Sequence, residues 1–201
     1  MSKLVVLSAG LSTPSSTRLL ADQIAAAVQS HVEMDVEFIE IRDLATDLAT
    51  LMTTGIPTAT VQKAQDAVTG ADALVAVSPV FAASYSGLFK MFIDALDGDA
   101  LNGMPMIIAA TAGTPRHSLV LDHAMRPLFT HLRALIMPTG VFAATDDFGD
   151  NAGLEARVDR AARELAGQLG QVSPAPQRFS GTTVDATGVN FEDLLRGHDG
   201  N

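Results

Sequence analysis

A hydroxyl-rich segment lies between the first apolar run of the chain and its first helical pattern. Five of the six residues from Ser12 to Thr17 carry a hydroxyl, and Arg18 follows directly. Free N–H groups at a helix start favour an anion, and hydroxyls and a guanidinium add donors and charge. The segment predicts a phosphate site at the start of this helix, with Ser15 or Ser16 as the N-cap. The alternative is a turn with one capping hydroxyl and solvated neighbours.

The kind of phosphate is indicated by what this segment lacks. Of a G-x-G-x-x-G fingerprint only Gly10 is present, and there is no lysine of the P-loop type. The site therefore suits a single terminal phosphate better than a pyrophosphate or a nucleoside triphosphate.

Two later loops contain residue types that suit a flat ring. In "SPVFAASYSG", the small residues Ala82 to Ser84 would let a ring approach backbone N–H and C=O groups. The alternative is an ordinary loop with Tyr85 packed in the core. In "TAGTPRH", Thr111 and Gly113 would border the same ring. A lone histidine such as His117 more often packs or lies at the surface, so no catalytic side chain is predicted.

Composition argues against several classes of protein. The 201-residue chain is 47% hydrophobic, has no cysteine and carries a formal net charge of -10. The lack of cysteine excludes disulfides, thiol nucleophiles and iron–sulfur ligation, and it favours a cytoplasmic location. The negative charge argues against nucleic acid and anionic membranes as partners. No membrane span or signal peptide is expected, and the histidines lack the spacing of a zinc site.

Apolar runs alternate with helical patterns, which predicts an α/β protein. A helix is expected to start at Ser15 or Ser16, and Pro127 is expected to disrupt a later one. The predicted strands span residues 3–9, 34–41, 71–80, 105–113 and 137–145. The other predicted helices span residues 58–69, 86–96, 116–135 and 151–169.

Five parallel strands with helices on both faces predict a doubly wound, three-layer α/β/α fold with strand order 2-1-3-4-5. Ligands of such sheets bind at the carboxyl ends of the strands, which is where the three loops described above would meet. Residues 1–172 are expected to form this domain. Residues 173–201 are rich in Ser, Pro, Gly and Thr, and they are expected to form a tail that can pack on the domain or on a neighbouring subunit.

Three segments together resemble the NAD(P)H-dependent FMN reductases of flavodoxin-like fold. The similarity is greatest to the reductase components of two-component flavin monooxygenase systems, including those for alkanesulfonates. The segments are "GLSTPSSTRLLA", "PVFAASYSGLFKMFIDAL" and "ATAGTPRHSLVLDHAMRPLF", in the order and spacing of the family. The resemblance spans residues 3–144. It departs from the family in the first loop, where "GLSTPSST" replaces the commoner G-S-x-R-x-x-S and Arg18 comes later.

The resemblance implies a set of FMN-binding residues. Those for the phosphate are Ser12, Ser15, Ser16, Thr17 and Arg18. Those for the isoalloxazine ring are Pro79, Val80, Phe81, Ala82, Ala83, Ser84 and Tyr85 on one border, and Thr111, Ala112 and Gly113 on the other, with His117 at a further position that the family uses. The resemblance also implies a π-helical insertion at His123, at a subunit interface beside the flavin, and a homodimer or homotetramer.

The reaction that the resemblance implies is hydride transfer from NADPH or NADH to FMN, with reduced FMN supplied to a partner monooxygenase. The nicotinamide would stack on the flavin, with its phosphates near Arg116 or another basic group. Because the cofactor carries this chemistry, no side-chain acid or base is required. Three alternatives stay open: an FMN-retaining reductase of quinones or azo dyes, a flavodoxin-type electron carrier, and a flavin-binding scaffold without turnover. The absence of tryptophan argues against the carrier.

Overall fold

The computed structural model of the protein describes residues 2–149 and 152–170. One seven-stranded sheet forms the centre of this part of the chain. Its seven strands are β1 (Ser2–Ser8), β2 (Met34–Glu40), β3 (Ala73–Phe81), β4 (Ser84–Tyr85), β5 (Pro105–Ala112), β6 (Leu135–Ile136) and β7 (Val141–Ala144). The α-helices are α1 (Ser16–His31), α2 (Ala45–Thr54), α3 (Ala59–Thr69), α4 (Gly87–Asp94), α5 (Arg126–His131) and α6 (Ala152–Leu169). Shorter helical turns span Ile41–Leu44, Pro115–His117, Leu121–Met125 and Thr145–Phe148.

The strand order confirms the predicted topology. The parallel strands run β2-β1-β3-β5, and β5 pairs in parallel with both β6 and β7. This is the flavodoxin-like order 2-1-3-4-5 with its last position divided. The predicted count of five strands is wrong for two reasons. Pro138 has no N–H to donate and separates β6 from β7, and the short β4 turns back to pair with β3 in antiparallel fashion.

Helices cover both faces of the sheet, as the three-layer prediction requires. On β1, Leu4 and Val6 face one side and pack with buried residues of α1 and α6. Val5 and Leu7 face the other side and pack with residues of α2, α3, α4 and α5. Each such buried aliphatic side chain contributes about 1.5–3 kcal/mol to folding. The loops at the carboxyl ends of the strands therefore connect elements that are held in place by the packed core.

The segment after β5 differs most from its prediction. Instead of one helix over residues 116–135, a 3₁₀ turn, a π-helical turn and α5 follow one another. The π turn, Leu121–Met125, contains His123, and the N–H of Arg126 donates to the carbonyl of Leu121 five residues earlier. The π-helical insertion implied at His123 is therefore confirmed. The helix α2 was not predicted, although Leu44, Leu48 and Leu51 recur at helical spacing in this threonine-rich segment.

The β3–β4 connection is a two-residue turn built on left-handed backbone. Ala82 has φ 47° and Ala83 has φ 65°, although neither is glycine. Two successive residues of this kind are characteristic of the type I′ hairpin turn.

The predicted tail, residues 173–201, and its boundary at residue 172 lie outside the described residues. Within the described part of the chain, no helix has the length and apolarity needed to cross a membrane.

Candidate functional site

A cleft of ≈ 360 Å³ opens at the carboxyl ends of the parallel strands. Its lining residues lie at, or shortly after, the carboxyl ends of β1, β3, β5 and β7, which is the position at which doubly wound sheets bind ligands. Its lining residues are Leu11, Ser12, Ser15, Ser16, Thr17, Pro79, Val80, Phe81, Thr111, Ala112, Gly113 and Thr145. None of these residues carries a formal charge.

One end of the cleft is the start of α1. Ser15 is the N-cap, as predicted, and its hydroxyl accepts a hydrogen bond of 3.2 Å from the N–H of Arg18. The N–H groups of Ser16 and Thr17 precede the first intrahelical hydrogen bond, so they are available to an anion. Gly10 makes this compact turn possible, because a Cβ there would lie 2.0 Å from the Ser15 hydroxyl.

A hydrogen bond joins this end of the cleft to the carboxyl end of β5. The hydroxyls of Thr17 and Thr111 are 2.8 Å apart, and both side chains are buried. Thr17 is in the first turn of α1, and Thr111 is the next-to-last residue of β5. The two segments are therefore held in a fixed relation.

The guanidinium of Arg18 faces away from this cleft. Its Nε donates to Asp22 at 2.7 Å and its Nη1 donates to Glu40 at 2.6 Å, while the group lies 4.1 Å from the centre of the Phe38 ring. The hydrogen bond to Glu40, followed by that to Asp22, raises the pKa of Arg18 above its ordinary value. Arg18 is not among the residues that line the cleft.

A different arginine contacts the hydroxyl-rich segment. Nη1 of Arg42 donates to the Ser12 carbonyl at 2.8 Å and to the Thr13 hydroxyl at 2.6 Å. Arg42 lies in the 3₁₀ turn that follows β2, thirty residues away in sequence. Sequence reasoning missed it because no local pattern links that turn to the first loop.

The other end of the cleft is formed by the carboxyl ends of β3 and β5, together with Gly113, which follows β5. Pro79, Val80 and Phe81 line one side, and the side chain of Phe81 is 48% exposed. Beneath them, the buried hydroxyl of Ser78 accepts from the N–H of Ser86 at 3.0 Å and donates to the Pro79 carbonyl. Four of the predicted ring-binding residues lie elsewhere: Ala82, Ala83, Ser84 and Tyr85 are not part of the cleft lining.

The ring of Tyr85 packs against the core. Its centroid lies 5.8 Å from that of Phe89, which is the alternative that the sequence left open. Ala83 and Ser84 instead line a second cavity of ≈ 410 Å³, together with His117 and the π turn. The remaining residues of that cavity are Arg116, Leu119, Val120, His123 and Ala124. Phe81 lines one cavity and Ala83 the other, so both cavities reach the β3–β4 hairpin.

Two residues of the cleft were not predicted. Leu11 precedes the hydroxyl-rich segment, and Thr145 directly follows β7. The position of Thr145 at the carboxyl end of a parallel strand is a signal that would have found it. Among the described residues, no group of His, Asp or Glu side chains is arranged to hold a metal ion.

The cleft suits a ligand that has one terminal phosphate and a flat ring. N–H and hydroxyl donors converge at one end, and small or apolar residues form the other, with backbone between them. This is the combination that FMN presents. The fold is flavodoxin-like, and the cleft lies where such a sheet binds its ligand.

The chain belongs to the family of NADPH-dependent FMN reductases, whose model matches residues 2–149. It is 37% identical over 172 residues to FMN reductase (NADPH) of Pseudomonas aeruginosa, covering 84% of this chain and 92% of that one. It is 39% identical over 171 residues to the NADH-dependent FMN reductase SfnE of Pseudomonas putida, with coverages of 83% and 91%. Among solved structures, an oxidoreductase from Corynebacterium diphtheriae superposes with a TM-score of 0.83 at 53% identity, covering 86% of this chain and 99% of that one.

Family membership confirms the predicted enzyme class, an NAD(P)H:FMN oxidoreductase, and the predicted cofactors, FMN with NADPH or NADH. It also confirms the predicted resemblance. The roles of individual site residues, the oligomeric state and the partner of the reaction stay predictions.

Proposed function

We propose that FMN binds in the cleft as a dissociable substrate, is reduced there by NADPH or NADH, and leaves to supply a partner monooxygenase. The observation that carries this proposal is the uncharged lining of the cleft. Hydrogen bonds from neutral N–H and O–H donors to a phosphate are charge-assisted, because the acceptor is ionised, but these donors add no opposite full charge as an arginine or lysine would. We infer that a phosphate site without a counter-charge lacks the direct charge–charge attraction that an arginine or lysine would supply, which suits a reductase that must release its product.

At the phosphate end, the ligands are the N–H groups of the first turn of α1 and the hydroxyls around them. These hydroxyls belong to Ser12, Ser15, Ser16 and Thr17. The helix dipole adds a favourable field for the anion. Arg18 contributes a direct contact only if its guanidinium leaves Glu40 and Asp22, which would cost the hydrogen bonds described above.

At the ring end, Pro79 to Phe81 and Thr111 to Gly113 border the isoalloxazine from two sides. When bound, FMN supplies the hydride-accepting chemistry. Backbone N–H and C=O groups of these segments would orient the ring, and Phe81, which is exposed at the cleft, would contribute apolar surface to it. No side-chain acid or base is assigned. The adjoining cavity, with Arg116 and His117, is open to the rest of the pyridine nucleotide.

The proposal also covers the partner enzyme, the oligomeric state and the cellular location. The family resemblance supports a partner monooxygenase that consumes reduced FMN. It also supports a homodimer or homotetramer, with the π turn around His123 at the subunit interface. The absence of cysteine supports a cytoplasmic location.

The test is oxidation of NADPH and NADH by purified protein with and without added FMN. We expect turnover to rise with free FMN and to saturate at micromolar concentrations, as is usual for enzyme substrates. Removal of bound flavin by gel filtration should abolish turnover, and added FMN should restore it. Turnover that is independent of added FMN and requires a quinone or an azo dye would instead identify a reductase that retains its flavin.

A further inference from the structure

The hydroxyl-rich segment needs support from outside itself. Residues Ser12 to Ser15 lie between the end of β1 and the start of α1, and side chains at Leu11 and Ser12 are exposed. A loop of this kind is free to vary in conformation unless it is tied to neighbouring elements. The donors for a phosphate are effective only if they are held at the correct positions.

We propose that Arg42, and not Arg18, is the arginine that positions the phosphate end of the FMN site. One nitrogen of Arg42 donates to both the Ser12 carbonyl and the Thr13 hydroxyl, at 2.8 Å and 2.6 Å. These two acceptors belong to adjacent residues, so the bonds fix the segment where it enters the cleft. Arg42 acts through the segment, and it is a positioning residue.

The element that carries Arg42 is itself firmly anchored. Its flanking residues Ile41 and Leu44 are 0% and 6% exposed and belong to the core between the sheet and α2. The backbone of Arg42 is therefore fixed relative to β1, and its side-chain hydrogen bonds hold the first loop in place.

Arg18 and Arg42 differ in how strongly carboxylates already bind their guanidinium groups. Arg18 is bound by two carboxylates, at 2.7 Å and 2.6 Å. Within residues 2–149 and 152–170, Arg42 has one carboxylate neighbour, Asp43, at 3.6 Å, and that aspartate side chain is 72% exposed. A hydrogen bond from a guanidinium is stronger than one from a neutral donor, so the contacts of Arg42 with Ser12 and Thr13 are suited to order the segment.

This inference rests on the proposed function, because it concerns the phosphate end of the proposed FMN site. It is tested by comparing the dissociation constants of FMN and riboflavin, which differ only in the terminal phosphate. The variant is Arg42→Gln, and the matched control is Arg163→Gln, which changes an exposed arginine on α6 that pairs with Asp159. Binding is followed by quenching of flavin fluorescence, and thermal unfolding reports whether each variant is folded.

We expect Arg42→Gln to weaken FMN binding about tenfold, the effect of losing one or two charge-assisted hydrogen bonds. Riboflavin binding should change less than about twofold, because its ring does not depend on the phosphate donors. Arg42→Lys, which keeps the charge and one donor direction, should recover part of the preference. Thr13→Val, which removes one acceptor, should lower the preference to a smaller extent.

Two results would overturn the inference. One is an unchanged preference for FMN over riboflavin in Arg42→Gln. The other is an equal loss of affinity for both ligands, which would indicate a general structural role. If Arg42→Gln does not fold, Arg42→Lys and Thr13→Val provide the same comparison. A wild-type protein that binds FMN and riboflavin equally would show that the proposed phosphate end is wrong, and the inference would fall with it.

Discussion

The hydroxyls of Thr17 and Thr111 form a hydrogen bond of 2.8 Å between buried side chains that are 94 residues apart in sequence. This bond joins the first turn of α1 to the end of β5, and both residues also line the cleft. It therefore connects the proposed phosphate end to the proposed ring end.

Replacing either threonine by valine should destabilise the protein by about 1–2 kcal/mol, because the partner hydroxyl is left buried without a hydrogen bond. The double variant Thr17→Val/Thr111→Val should lose less than the sum of the single variants, since it leaves no orphaned hydroxyl. A double-mutant cycle by urea denaturation measures this coupling. Strictly additive losses would show that the hydrogen bond does not stabilise the fold.

The strained turn between β3 and β4 predicts an unusual effect of glycine. A non-glycine residue in the left-handed region costs about 1–2 kcal/mol, and glycine recovers this at an entropic cost of about 0.5–1 kcal/mol. Ala82→Gly and Ala83→Gly should therefore each stabilise the protein by about 0.5–1 kcal/mol. The measurement is the free energy of unfolding in urea.

The matched control for these two variants is Ala49→Gly, at an exposed position within α2. The same change in a helix should destabilise the protein by up to about 1 kcal/mol. Destabilisation at all three positions would show that the left-handed turn is not strained.

The Arg18 side chain is predicted to support the structure more than the ligand. Arg18→Gln breaks the contact with Glu40, whose side chain is only 13% exposed, and should lower stability by about 1 kcal/mol. The preference for FMN over riboflavin should change less than in Arg42→Gln. Flavin fluorescence titration of both variants measures the difference. A larger loss of preference in Arg18→Gln would support the phosphate contact that the resemblance implied.

The contact between α1 and α6 predicts a pH-dependent contribution to stability. Nε2 of His31 lies 2.8 Å from Oδ1 of Asp159. This hydrogen bond, assisted by Arg163, lowers the pKa of the Asp159 carboxyl below its ordinary value. The carboxylate therefore stabilises the folded state fully above the ordinary pKa of about 4, and this contribution disappears as pH falls through the lower pKa of the folded state.

The measurement is the difference in unfolding free energy between wild type and Asp159→Asn, followed from neutral pH to about pH 3. This difference should be largest near neutral pH and should shrink as the solution becomes more acidic than about pH 4. Glu155→Gln, at an exposed position on the same helix, should show a much smaller difference. A difference for Asp159→Asn that grows on acidification would reverse the inferred sign.

Local chemistry and periodicity predicted the features that depend on neighbouring residues. Ser15, one of the two predicted N-cap residues, caps α1, and α3 spans Ala59–Thr69 where a helix over residues 58–69 was predicted, because helix ends are decided within one turn of the chain. The order of the parallel strands followed from the alternation of strands and helices. The hydroxyl-rich segment was predicted to lead into a helix start, and α1 begins there; its phosphate-binding role stays a prediction.

Local sequence patterns could not predict features that depend on contacts between residues distant in sequence. Arg18 is drawn away from the cleft by Glu40, and Arg42 reaches the first loop from the turn after β2. Each of these outcomes is set by which side chains meet in three dimensions, and one sequence does not encode that choice in its spacing.

The uncharged lining of the cleft also bears on how fast a ligand arrives. FMN carries a phosphate of about −1.5 to −2 charge at neutral pH, and the protein has a formal net charge of -10. The two therefore repel at long range, and the cleft lining offers no opposing charge to steer the encounter. Because dissolved salt screens this repulsion, capture of FMN should quicken as ionic strength rises, the reverse of the behaviour of an electrostatically steered enzyme.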